Sequence, residues 1–244
     1  MSRSARAVLF DLDDTLFDHR RSARAALAEL HRVHGRGTDL DAFERQHTRF
    51  LEVMHREVLA GRVGLDEARR ERFRRVFLEF DIALDDPDVD AVATAYRSGY
   101  MTARRALDGA AELLTALRPH ARVGIVTNNL LDEQRDKLDY CGLAHLVDAL
   151  IASEDVGVSK PDRGIFDIAL DRLGVAADEA VMVGDSWAND VAGARDAGIR
   201  AIWFNPDRQP SPDPGLRVIE LHALEPVDVA LTTIFDRNGG DGGA

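Results

Sequence analysis

The 244-residue chain has one cysteine, Cys141, two lysines among its 31 basic residues, and no apolar run near the roughly 20 residues that a membrane helix needs. A lone thiol permits neither an intrachain disulfide nor a thiolate zinc site. The amino-terminal stretch MSRSARAVLF lacks the long apolar segment and small-residue cleavage site of a secretion signal, so the expected location is the cytoplasm, away from membranes. Positive charge is also scarce. The net charge of −12 argues against binding a nucleic-acid polymer through its phosphates. Because every basic residue except Lys137 and Lys160 is arginine, those two positions are candidates for a compact ammonium where a planar guanidinium would not serve.

What is present is organised in alternation. Short apolar runs at 6–12 (RAVLFDL), 122–127 (RVGIVT), 147–151 (VDALI), 180–184 (AVMVG) and 200–204 (RAIWF) read as buried strands, with a further strand at 217–221. Helical patterns at 109–117, 132–140, 163–173 and 188–197 lie between them. Strands alternating with helices of this length predict an α/β fold with a parallel sheet covered on both faces. Residues 17–107 interrupt the alternation. They contain no strand-like run, and Leu27, Leu30, Phe43, Phe50, Met54, Phe73, Val76 and Phe77 recur at helical spacing, predicting an all-helical insert with its own core. Between Asp18 and Arg105 there are 17 arginines against 16 acidic residues, whereas the rest carries 14 basic against 27 acidic, which also sets the segment apart. The expected division is therefore 1–16 with 108–237 as the sheet domain, 17–107 as the helical insert, and 238–244 as a disordered tail.

Four polar clusters fall at the carboxyl ends of predicted strands, where parallel sheets bind ligands. FDLDDTLFD at 10–18 brings Asp11, Asp13 and Asp14 to the mouth of the first strand. Carboxylates crowded in this way repel one another unless a cation is shared among them, which suggests a hard metal with oxygen ligands. Asp11 and Asp13, one residue apart, are suited to nucleophile and acid/base roles. Thr127 and Asn128 end the second strand. SKPD at 159–162 sets Lys160 before a proline, and GDSWAND at 184–190 holds Asp185 and Asp190. Singly, each has an ordinary reading as a cap, a turn or a surface charge; jointly, they share one edge of the sheet.

The ordered set D-x-D-x-T, T-N, K-P and G-D-x(4)-D resembles the haloacid dehalogenase superfamily, over residues 6–204. The resemblance implies a Rossmann-like core with a helical cap that opens for substrate and closes to exclude water. It also implies a Mg²⁺-dependent phosphatase acting on a small phosphoester. In that pattern Asp11 is the nucleophile that becomes an aspartyl-phosphate, and Asp13 is the acid/base. Thr127, Asn128 and Lys160 bind the phosphoryl group. Asp11, Asp185 and the backbone carbonyl of Asp13 ligate Mg²⁺, with Asp190 supporting either the metal or Lys160. The superfamily's dehalogenases typically lack an acid at the position of Asp13, having no alkoxide to protonate, so its presence favours a phosphatase. A non-catalytic relative would be expected to have lost Asp11, Asp13 or Lys160.

Residues 153–166 (SEDVGVSKPDRGIF) are similar to pyrimidine nucleotidases and N-acylneuraminate-9-phosphatases, which implies a nucleoside monophosphate or a sugar phosphate as substrate. Two positions depart from those families: Asn129 replaces a common glycine, and Trp187 a smaller residue. Trp187 has two readings, stacking on a substrate ring or packing within the protein. A monomer or weak homodimer is expected.

Overall fold

The computed structural model describes residues 5–35 and 37–236, so the expected tail at 238–244 lies outside it. Among the described residues the apolar runs form six strands: β1 (Ala7–Phe10), β2 (Arg122–Thr127), β3 (Ala149–Ala152), β4 (Ala180–Gly184), β5 (Arg200–Phe204) and β6 (Ile219–Leu221). They make one all-parallel sheet in the order β3-β2-β1-β4-β5-β6. β1 and β4 are buried along their whole length, as expected where helices cover both faces. The fold is the α/β arrangement with a parallel sheet that the alternation predicts, and the Rossmann-like core that the resemblance implies.

The helices of the sheet domain are α5 (Ala110–Leu117), α6 (Leu131–Tyr140), α7 (Ser153–Val156), α8 (Arg163–Leu173), α9 (Gly193–Asp196) and α10 (Val227–Phe235). Ile165, Phe166, Ala169 and Leu173 of α8 join Leu9, Val126, Ile151 and Met182 of the sheet in one buried cluster. Each fully buried large side chain there contributes about 1.5–3 kcal/mol relative to exposure.

Three elements differ from their sequence pattern, the strand expected at 217–221 beginning only at Ile219. The run at 147–151 enters the sheet two residues late, because Asp148 accepts the Val123 N–H in its carboxylate at 2.7 Å and donates its own N–H to the Val123 carbonyl at 2.8 Å. The segment at 188–197 is no uniform α-helix. A π-helical turn, Trp187–Ala192, precedes α9, with the Val191 N–H reaching five residues back to the Ser186 carbonyl. Wide turns of this kind often occur at functional sites.

The chain divides into two compact units, residues 19–104 and the remainder. Where the helical unit is inserted, the chain's exit and return run side by side: Asp18 donates its N–H to the Arg105 carbonyl at 3.0 Å, and Arg105 Nε meets Asp18 Oδ2 at 3.0 Å. The inserted unit comprises α1 (His19–His34), α2 (Leu40–Leu59), α3 (Leu65–Leu78) and α4 (Asp86–Ala103). Asp39 and Asp85 cap α2 and α4 by accepting backbone N–H groups. Phe43, Phe73, Val76, Phe77 and Val92 are fully buried within the unit. Its core also holds two basic side chains. The Arg72 guanidinium lies 4.9 Å from the ring centres of Phe73 and of Tyr96, and the His47 ring packs 4.8 Å from Tyr96.

His47 is 1% exposed, and its Nε2 has no hydrogen-bond partner. Burial above all, then the charge of Arg72 and the neighbouring His19, holds its imidazole well below the ordinary value of 6.5. The unfolded chain takes up a proton near that pH, and the folded chain does not. The contribution of His47 to stability is therefore fully present above it and is lost as pH falls, by up to about 1.4 kcal/mol per pH unit. His47→Leu should flatten this dependence. Denaturant unfolding of variant and parent between about pH 7.5 and 5 measures it, and parallel stability curves would show that His47 is protonated in the fold.

Candidate active site

From β1 the chain steps outwards through β2 to β3, then crosses back to lay β4, β5 and β6 on the other side of β1. Such a reversal leaves a crevice at the strands' carboxyl ends. Asp11 lies one residue beyond β1, Thr127 ends β2 with Asn128 following, and Asp185 lies one residue beyond β4. Lys160 belongs to the loop between α7 and α8.

Lys160 joins these elements. Its Nζ lies 2.6 Å from Asp11 Oδ1 and 2.6 Å from Asp190 Oδ1, with the lysine side chain 2% exposed. The Asn128 side chain holds the backbone of the same residue in both directions: Nδ2 donates to the Lys160 carbonyl at 2.8 Å, and Oδ1 accepts the Lys160 N–H at 2.7 Å. Asn128, expected at the phosphate, braces the backbone of Lys160 with both ends of its side-chain amide. Thr127 is buried beside it at the end of β2.

Oxygens of Asp11, Asp185 and Asp190 all come within 4.8 Å of one another. Set against the single ammonium of Lys160, these three carboxylates carry a formal charge of −2. Burial is the largest influence on Asp11 and raises its carboxyl well above the ordinary range; the Lys160 ammonium opposes this, and Asp190 and Asp185 add to the rise. Burial alone would lower Lys160, but the carboxylates of Asp11 and Asp190 outweigh it and raise its ammonium. The carboxylates thus favour the Lys160 ammonium, whereas burial and its two acidic neighbours disfavour the ionised form of Asp11. The donor set fits a hard divalent cation, since it is all oxygen, anionic and only partly enclosed.

The support behind these groups is close-packed. A β-carbon on Gly184 would lie 2.4 Å from both Cγ and Oδ2 of Asp190, so the carboxylate occupies space that only glycine leaves. Asp190 Oδ2 accepts the Ser186 N–H at 2.9 Å, which turns the π-helical segment back onto the end of β4. The Trp203 indole N–H donates to the Asp185 carbonyl at 2.9 Å, and Trp187 packs edge-on against Trp203 with ring centres 5.0 Å apart. Trp187 thus packs within the sheet domain, behind the Asp185 loop.

Asp13 stands apart from this group. Its carboxylate meets Lys137 Nζ at 2.6 and 2.8 Å, and its Oδ2 also accepts from Gln134 Nε2 and Asn129 Nδ2, each at 3.1 Å. Sequence reasoning passed over Gln134 and Trp203, and it singled out Lys137 as a scarce lysine without placing it at Asp13. The scarcity of lysine marked Lys137, but nothing in the local pattern of α6 tied it to Asp13.

Gly184→Ala should push Asp190 off both Lys160 and its place among the carboxylates. Divalent-cation affinity, measured by calorimetry with Mn²⁺, is expected to fall by about 10-fold or more. Unchanged affinity would mean that Asp190 plays no part in holding a cation.

Comparison with known proteins bears on the same residues. A family model described as haloacid dehalogenase-like hydrolase matches residues 5–198. The ribulose-1,5-bisphosphate 5-phosphatase of Halopiger xanaduensis is 34% identical over 210 residues, covering 84% of this chain and 87% of that protein. The pyrimidine 5′-nucleotidase YjjG of Escherichia coli is 39% identical over 123 residues, covering 49% of this chain and 55% of that one. Among solved structures, the HAD-hydrolase YfnB of Bacillus subtilis, bound to magnesium, superposes with a TM-score of 0.75 at 26% identity, covering 94% of this chain and 100% of its own. Solved 2-haloacid dehalogenases share the fold as well. With the four motifs gathered at one sheet edge and a family match spanning most of its length, the chain belongs to the haloacid dehalogenase-like hydrolases.

Proposed function

We propose that this chain is a Mg²⁺-dependent phosphoric monoester hydrolase that cleaves a small phosphomonoester through an aspartyl-phosphate on Asp11. The observation that carries this reading is the buried Lys160 ammonium bridging Asp11 and Asp190, with Asp185 completing a three-carboxylate group. Phosphoryl transfer asks a protein mainly for positioning and for neutralisation of charge, and this arrangement provides both. On this reading the insert at 17–107 is the cap, and 1–16 with 108–237 form the catalytic core.

Asp11 attacks the phosphorus, forming a bond from its carboxylate oxygen as the P–O bond to the leaving alcohol breaks. Asp13 gives that alkoxide its proton. Water then attacks the phosphorus of the acyl phosphate, its proton passes to Asp13, and the bond to Asp11 breaks, releasing phosphate. Lys160 steadies the Asp11 carboxylate and the phosphoryl oxygens, while Thr127 and Asn128 bind those oxygens. Mg²⁺ would be held by Asp11, Asp185, Asp190 and the Asp13 carbonyl, and would supply charge neutralisation at the phosphoryl group.

The relatives' names, for a sugar bisphosphate and for pyrimidine nucleotides, support a nucleoside monophosphate or a sugar phosphate as substrate. The shared fold raises 2-haloacid dehalogenation as a second reading. Asp13 opposes it, because a halide leaves without a proton.

The purified chain should release phosphate from p-nitrophenyl phosphate with Mg²⁺, lose that activity to EDTA, and release no halide from 2-chloropropionate. Asp11→Asn should lower turnover by about 1,000-fold or more while circular dichroism stays unchanged. A folded Asp11→Asn variant with parental turnover would remove Asp11 as nucleophile.

A further inference from the structure

The chain's two lysines have parallel placements. Lys160 is buried against Asp11, and Lys137, whose side chain is 5% exposed, is buried against Asp13. In a chain that otherwise uses arginine for every cation, both ammonium groups sit on the paired aspartates of the first motif.

The contacts of Lys137 reach beyond one ion pair. Gln134 and Lys137 lie one turn apart on α6 and are both buried, and Asn129 stands just ahead of that helix. Together they direct three donor side chains at one carboxylate: Lys137 at 2.6 and 2.8 Å, Gln134 at 3.1 Å and Asn129 at 3.1 Å. Asn129 is fixed in turn, since its Oδ1 accepts the Leu130 N–H at 2.8 Å. The Lys137 ammonium also lies 5.1 Å from the ring centre of Phe17, which is fully buried. The Phe17 carbonyl accepts the Asp14 N–H at 2.7 Å, and its N–H donates to Leu12 at 2.9 Å, closing the turn that carries Asp13. Lys137 thus touches both the carboxylate and the turn beneath it. A carboxylate with both oxygens engaged from one side has little freedom to rotate.

We infer that Lys137, assisted by Gln134 and Asn129, is a positioning residue that fixes where the Asp13 carboxylate points. It acts on the reaction only through Asp13, and the inference rests on the phosphatase reading. A misplacement of about 1 Å in a reacting group can cost roughly 100-fold in rate, so a clamp on the proton carrier is worth that order. The effect should appear in steps that need Asp13 to move a proton and be small in steps that do not.

Two aryl esters separate those steps. Phenolate is a basic leaving group that needs protonation, whereas p-nitrophenolate leaves with little help. In Lys137→Met, kcat on phenyl phosphate should fall by about 100-fold with KM within about 3-fold. The first-turnover burst of p-nitrophenolate should fall less than about 10-fold, followed by slow hydrolysis of the aspartyl-phosphate. Gln134→Leu should show the same pattern at about a tenth of the size, and it carries the test alone if Lys137→Met does not fold. Equal losses on both esters, burst included, would make Lys137 a merely structural brace and overturn the inference, as would parental kinetics on phenyl phosphate in both variants. A parent chain that releases phosphate from neither ester would instead sink the phosphatase reading itself, and the positioning role with it.

Discussion

Three carboxylates within 4.8 Å of one another resist being ionised together in a buried site, and the organisation of the sheet edge follows from that repulsion. Lys160 answers part of it. Its ammonium serves Asp11 and Asp190 at once, but one cation cannot balance three anions, and burial still pushes the Asp11 carboxyl upward. On the proposed reading Asp11 attacks as an ionised carboxylate, and additional positive charge beside it favours that state. The charge count thus favours a cation beside the three carboxylates, in line with their all-oxygen donor set.

Holding like charges so near one another requires a backbone that does not yield. β1 and β4 are neighbours buried along their whole length, so Asp11 and Asp185 leave the sheet from rigid, paired strands. Gly184 leaves room for Asp190, and a β-carbon on Gly193 would meet Pro161 at 2.9 Å, so α9 packs closely on the loop that bears Lys160. Each approach uses a missing side chain, and each brings a charged group nearer to its counterpart.

Much of this was legible in the sequence because the chemistry sits where strands end. An apolar run followed at once by aspartate, or by Thr-Asn, marks a strand and its functional tip in the same few letters; β1, β2 and β4 could be read that way. The π-helical turn could not. Residues 188–197 carry ordinary helical spacing, and the wide turn arises from the Asp190 carboxylate folding back on Ser186, a contact that periodicity does not encode. The environment of Asp13 was hidden for a related reason. Gln134 and Lys137 look like the polar face of α6, yet both are buried, because the carboxylate they serve arrives from a segment more than 100 residues away in sequence. Trp187 had two open readings, and only Trp203 shows that it packs within the domain.

The two lysines suggest why the motif's aspartates differ in treatment. On the proposed reading Asp11 must stay in place to attack, and it lies in the crevice among fixed charges whose arrangement is set before substrate arrives, the condition under which electrostatic stabilisation is most effective. On the same reading Asp13 exchanges a proton with a leaving group and then with water, so it has to remain reachable. Its side chain is 24% exposed against 11% for Asp11. Exposure brings rotational freedom, which a proton carrier can ill tolerate. A clamp of side-chain donors from α6 offsets that freedom without burying the carboxylate. Both lysines are buried against carboxylates, where a compact ammonium fits better than a planar guanidinium, which accounts for lysine at both positions in a chain that otherwise uses arginine.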